Sequence, residues 1–155
     1  MQHLFWLYPD QLAGRAGPNR EPWDPTLLAS AGIDSVLSLN YAQGVDPEEL
    51  ERAGLRHACL PLPEDEPPSE RDEAHCALVL PRALEYVQDE LAAGATLLLH
   101  CNSGKDRTGL VMAALWMRRE GGTVEEALAA VRAVRPIALS ARGWEEMARR
   151  LLARL

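Results

Sequence analysis

Apolar positions in this chain fall into short charge-free runs that alternate with longer stretches at helical spacing. Ala95-Thr96-Leu97-Leu98-Leu99 is short and apolar, the pattern of a buried strand. Val36 to Leu39 reads the same way, and Leu55 to Leu62 is strand-like. Asp24-Pro25 predicts a helix running to Gly32, with Asp as the cap and Pro at the first helical position. Asp46-Pro47-Glu48-Glu49 repeats that start, with Glu49 spaced for a capping box and Gly54 closing the helix. Leu110 to Met117 is apolar at helical length and continues into Arg118-Arg119-Glu120-Gly121.

Pro61, Pro63, Pro67 and Pro68 predict an extended loop, since each restricts the residue before it. A helical stretch follows from Ser69 to about Ala93, with Ala77, Leu78, Leu84, Val87 and Leu91 as its apolar stripe. Pro81 inside it predicts a kink or a division in two. Thr123-Val124-Glu125-Glu126 is a capping box, and a last helix carries Trp144, Met147, Leu151, Leu152 and Leu155. Strands alternating with helices predict an α/β fold in three layers: a largely parallel sheet covered on both faces. The 155 residues suit one domain, 1–155, with a single sizeable core.

Composition narrows the function classes. Lys and Arg number 16 against 23 Asp and Glu, a formal charge of −7 without a long basic stripe, which argues against nucleic-acid binding. Cys59, Cys76 and Cys101 are an odd set without a Cys-x-x-Cys, so neither a disulfide framework nor a zinc site is expected. Met1 to Leu7 lacks the basic start and length of a signal peptide, and no apolar run reaches the ~18 residues of a spanning helix. These readings predict a cytoplasmic protein without membrane insertion, in a compartment where a thiol stays reduced.

The strand at 95–99 and the helix from Leu110 enclose His100-Cys101-Asn102-Ser103-Gly104-Lys105-Asp106-Arg107-Thr108-Gly109. Backbone N–H groups of such a strand-to-helix turn lack internal partners, and the helix dipole adds positive potential. An oxyanion fits that cup. Cys101 stands at its mouth, where the amides, the dipole and Arg107 favour the thiolate, the reactive form. Arg107 offers a planar fork to two phosphate oxygens. Thr108 can donate its hydroxyl to the sulfur, and Gly104 permits positive φ and close backbone approach.

Cys-x5-Arg-Thr after a His and a hydrophobic strand resembles the signature of the cysteine-dependent protein tyrosine and dual-specificity phosphatases. The resemblance extends along nearly the whole chain. Phe5 to Gly14 is similar to the opening strand and turn of small atypical dual-specificity members, and Leu27-Leu28 through Gly32-Ile33 to Leu39 to their leader helix and strand. Arg56 to Pro68 resembles the strand and acid loop, and Glu125 to Arg135-Pro136 the late helix. Gly104-Lys105-Asp106-Arg107-Thr108-Gly109 is nearest the loops of bacterial and lipid-phosphatase-like members. The resemblance implies a phosphatase acting through a phosphocysteine on Cys101, with Arg107 and Thr108 also catalytic. Asn102, Ser103, Gly104, Lys105, Asp106 and Arg107 would hold the phosphate, and no metal or other cofactor is implied.

It also implies a carboxylic acid on a mobile loop before the Cys. In Pro63-Glu64-Asp65-Glu66, an ungapped match puts Glu64 at that position, whereas residue type favours Asp65, which is taken first. Asp106 is a further candidate, though a loop-structuring role suits it better. Lys105 can attract a second substrate phosphate or remain a solvated cation. His100 is expected beneath the loop, bonding backbone and tuning Cys101. Asn102 and Ser103 are expected to shape the rim, and Arg142 to be solvated. Trp144 stands where many members have a Gln that positions water, and its spacing reads as core. Cys59 and Cys76 read as buried small apolar residues.

The expected partner is a phosphorylated protein (on tyrosine, or on serine and threonine as well) or a small phosphoester. Rival readings are a phosphoinositide phosphatase, which Lys105 alone supports, and a sulfur- or arsenate-handling enzyme. A non-catalytic phosphate-binding module is the third.

Overall fold

The computed structural model describes residues 3–155; Met1 and Gln2, where the segment weighed as a signal peptide begins, lie outside the described residues. Eleven elements run β1 (Phe5–Tyr8), β2 (Leu12–Arg15), α1 (Pro25–Ser30), β3 (Ser35–Ser38), α2 (Pro47–Arg52), β4 (Arg56–Cys59), α3 (Glu70–Ala92), β5 (Leu97–His100), α4 (Arg107–Glu120), α5 (Val124–Val134) and α6 (Trp144–Ala153). The sheet order is β1-β2-β5-β3-β4. Only the β1–β2 pair is antiparallel; β2–β5, β5–β3 and β3–β4 are parallel.

The charge-free run at 97–99 lies at the centre of this sheet, and the side-chain alternation of a strand divides it between two cores. Leu97 and Leu99 join Leu12, Leu37, Val111 and Leu128 on one face, covered by α3 to α6. Leu98 joins Ala13, Val36, Leu28 and Leu50 on the other, covered by α1 and α2. All three leucines are fully buried, and each such side chain contributes about 1.5–3 kcal/mol. This is the three-layer α/β arrangement predicted from the pattern.

Several boundaries and details differ from the sequence reading. α4 begins at Arg107, three residues earlier than Leu110, so the cation belongs to its first turn. Asp46 accepts from both Glu48 N–H and Glu49 N–H, so the cap rests on that one carboxylate. α3 continues through Pro81 as a single 23-residue helix. Pro81 is exposed, and Ala77, whose carbonyl loses its helical donor, is half-buried. The buried stripe of α3 is Asp72, Cys76, Leu80, Ala83, Leu84 and Val87, while Leu78 is 72% exposed. Leu155 lies past the end of α6 and is exposed. Cys76 is buried, but Cys59 is exposed because β4 is an edge strand; its thiol donates to the Asn40 carbonyl at 3.1 Å. Among the described residues, no helix is long and apolar enough to cross a membrane.

Candidate active site

The parallel register brings Arg15 and Ser38 to either side of His100, at the carboxyl end of the central strand. Cys101 follows directly, at the end of an α/β sheet where such folds place their ligand sites. The loop from Asn102 to Asp106 then turns the chain into α4. Gly104 makes this turn at φ +66°, and a Cβ there would stand 2.5 Å from the Arg15 carbonyl oxygen. Gly17 donates to the Asn102 carbonyl at 2.9 Å; its own Cβ would come within 2.4 Å of the Cys101 oxygen. Loop and β2–α1 connection are therefore in backbone contact.

The Thr108 hydroxyl donates to the Cys101 sulfur at 3.2 Å, with both residues buried. Cys101, Asn102, Ser103, Lys105, Asp106 and Arg107 line one cup of about 200 Å³. The loop's own lip is completed across the cup by Glu64, Glu66, Ala141 and Trp144. Arg107 is only 6% exposed, and its NH1 has no hydrogen-bond partner. The nearest charge to it is the Glu64 carboxylate at 3.8 Å. A buried guanidinium nitrogen left open in this way carries a large desolvation cost that an incoming oxyanion would relieve.

Lys105 and Asp106 interact with each other. The Lys105 ammonium lies 2.7 Å from Asp106 Oδ2, and Asp106 Oδ1 accepts from the Ala141 amide at 3.1 Å. Asp106 occupies the N-cap position of α4 without capping it; its carboxylate instead ties the loop to the segment before α6. Leu139 N–H reinforces that seam by donating to the Lys105 carbonyl at 3.0 Å.

The acid loop divides its carboxylates. Glu64 and Glu66 line the cup, and the Glu66 carboxylate accepts from the Arg142 amide at 3.0 Å. Asp65, the acid taken first from sequence, does not line the cup. The Asp72 carboxylate at the start of α3 raises its proton affinity, while Asp72 is itself held low by the Ser69 amide. Neighbouring side chains on an extended segment point to opposite sides, and here Glu64 and Glu66 share the side that faces the cup. The Trp144 indole N–H donates to the Asp65 carbonyl at 2.9 Å. Trp144 is thus both core, as its spacing predicted, and a wall of the cup.

Four supporting residues escaped the sequence reading. Arg135 reaches from the end of α5 and donates to the Ser103 carbonyl at 2.6 Å and the Gly104 carbonyl at 3.3 Å. Its only signal was the Arg-Pro ending of that helix. Ser38 and His57 form a chain with His100: Ser38 Oγ lies 2.6 Å from His100 Nε2 and 2.8 Å from His57 Nε2. The donors in it follow from chemistry. Burial lowers the His100 pKa to about 4, so the ring is neutral. Nδ1 faces the Cys101 carbonyl at 3.1 Å, which can only accept, so Nδ1 carries the proton. Nε2 then accepts from the Ser38 hydroxyl, and Ser38 accepts from His57 N–H. Trp23, the fourth, packs edge-on to the His100 ring at 5.0 Å, and the Arg15 guanidinium stacks over Trp23.

Comparison with known proteins agrees with this fold. Mouse dual specificity protein phosphatase 12 is 27% identical over 143 residues; the match covers 92% of this chain but 39% of that protein. The chain therefore spans about two fifths of the length of that relative. A crystal structure of Tk-PTP in the active form is 25% identical with a TM-score of 0.79, covering 99% of this chain and 98% of that one. Human DUSP28, 21% identical over 99% of this chain and 95% of its own, shares the fold with a TM-score of 0.75. A family model described as Swiss Army Knife protein, DSP-PTPase phosphatase domain, matches residues 1–149. With fold, loop and nearly full-length match in agreement, the chain belongs to that DSP-PTPase phosphatase domain family.

Proposed function

We propose that this chain is a phosphoprotein phosphatase, of tyrosine or dual specificity, that hydrolyses phosphomonoesters through a phosphocysteine on Cys101. The observation that carries the reading is the Cys101 sulfur, hydrogen-bonded by Thr108, sharing one cup with a buried Arg107 nitrogen that has no hydrogen-bond partner. In the first step the Cys101 thiolate attacks phosphorus. The S–P bond forms and the bond to the leaving oxygen breaks, with Arg107 and the loop amides holding the phosphoryl oxygens. The leaving oxygen takes a proton from a carboxylic acid. Glu64 is the better placed donor, because it lines the cup beside Arg107 while Asp65 does not line it. In the second step water attacks phosphorus and gives its proton to that carboxylate. The S–P bond breaks, and the thiolate, stabilised by Thr108, leaves.

Asn102, Ser103 and Gly104 form the cradle, with Lys105 and Asp106 bracing its far lip. A cytoplasmic location suits the reading, since a reducing compartment preserves the thiol. PTPMT1 has been crystallised in complex with PI(5)P and shares the fold with a TM-score of 0.73. Lys105, the cation that a second phosphate would use here, is instead paired with Asp106. The test is turnover of phosphotyrosine peptide, phosphothreonine peptide and phosphoinositide by wild type and Cys101→Ser. Loss of all turnover in the Ser variant with oxyanion binding retained supports the reading; retained turnover overturns it.

A further inference from the structure

Outside the phosphate position, the cup is anionic. Its charged lining consists of Glu64, Glu66 and Asp106 against Lys105 and Arg107. A bound phosphate occupies Arg107, whose open nitrogen is the buried group pointing to an oxyanion here. Lys105 and Asp106 are consumed by each other. A substrate's second phosphate, or a carboxylate next to its phosphate, would thus face Glu64 and Glu66 with no open cation in the lining to meet it. A cationic group in the same place would meet the exposed Glu66 carboxylate, since Glu64 carries the proton that the leaving oxygen takes. Glu66 is held in place for this by the Arg142 amide, and the Arg142 side chain is exposed and lines a neighbouring groove rather than the cup.

Building on the phosphatase reading, we propose that the preferred substrates are singly phosphorylated peptide segments with Lys or Arg beside the phosphoresidue. Glu66 is the specificity-determining residue, and polyphosphorylated molecules and acidic phosphopeptides are disfavoured. Because Glu66 is exposed, its pairing is screened and contributes only about five-fold in kcat/KM at low salt.

The experiment compares three phosphotyrosine peptides of equal length, with basic, neutral and acidic flanks, together with an inositol bisphosphate. Nitrophenyl phosphate with and without Cys101→Ser serves as the control. The expected order is basic, neutral, acidic, with the bisphosphate poorest and the spread shrinking at high salt. Glu66→Gln should reduce the basic-to-acidic ratio by about five-fold, and Glu66→Lys should invert it. Equal rates, or faster turnover of the acidic peptide or the bisphosphate, overturn the substrate proposal if nitrophenyl phosphate hydrolysis still depends on Cys101. If that hydrolysis is independent of Cys101, the phosphatase reading itself falls and the substrate proposal with it.

Discussion

The indole N–H of Trp144 and the carbonyl of Asp65 are joined at 2.9 Å, fastening the acid loop to the first turn of the last helix. One ring thereby fixes the orientation of a segment that carries three consecutive carboxylates. Trp144→Phe keeps the packing and removes this bond. It should lower kcat by about five-fold on phosphothreonine peptide, the equivalent of one hydrogen bond, and lower Tm by about 2–4 °C. Steady-state kinetics and a thermal melt on the same preparation check both.

Leaving-group chemistry separates the two candidate acids. Alkyl esters need a proton on the departing oxygen, whereas a nitrophenyl ester hardly does. Glu64→Gln should depress phosphothreonine hydrolysis by about 10²–10⁴-fold with a far smaller effect on nitrophenyl phosphate. Asp65→Asn should show no such dependence. The reverse pattern in rate measurements on both esters would transfer the acid role to Asp65.

Arg135 braces the 102–106 loop through two carbonyls, and its fork geometry matches the pair. Arg135→Ala releases the loop beneath Ser103 and Gly104, and a displacement near 1 Å there costs up to about 10²-fold in rate. Arg135→Lys should recover only part of the loss, because a single ammonium cannot reproduce both bonds. The fall should appear mainly in kcat.

His100 links stability to pH. Its folded pKa of about 4 lies below the ordinary histidine value near 6.5, so between these values the unfolded chain binds a proton that the folded chain refuses. Stability from this group is complete above about pH 6.5 and is lost as pH falls towards 4, by about 3 kcal/mol. Denaturant unfolding at pH 4.5 and 7.5 should show this difference in wild type and a smaller one in His100→Asn. Subtracting the two removes the contribution of carboxylates such as Glu73 and Glu145, which ion pairs hold low.

Pro81 is a fold-level test. It is exposed in the interior of α3, where it denies Ala77 a helical donor. Pro81→Ala should stabilise the protein by about 1–3 kcal/mol, read as a higher denaturation midpoint without change in turnover.

The sequence by itself determined the sheet order's centre and the cup. A charge-free run such as Leu97 to Leu99 can be satisfied only by burial on both faces. A Cys-x5-Arg turn between such a strand and an apolar helix brings its thiol and cation to one cup by local geometry. The helix caps at Asp24, Ser69 and Thr123 were equally local, each resting on side-chain bonds within three residues. Of the two outcomes read from Pro81, a kink or a division, division does not occur: packing of Cys76, Leu80 and Leu84 against the core outweighs one lost bond.

Only the tertiary structure decided which acid meets the cup, because Glu64 and Asp65 differ by a single step along an extended loop. That choice rests on Trp144, 79 residues from Asp65, whose indole holds the Asp65 carbonyl. Tertiary structure alone also decided that Arg135 supports the loop, and that Ser38 and His57 continue the hydrogen-bond chain from His100. Long-range contacts of this kind leave no periodicity in the sequence: each depends on register and packing between segments far apart in the chain.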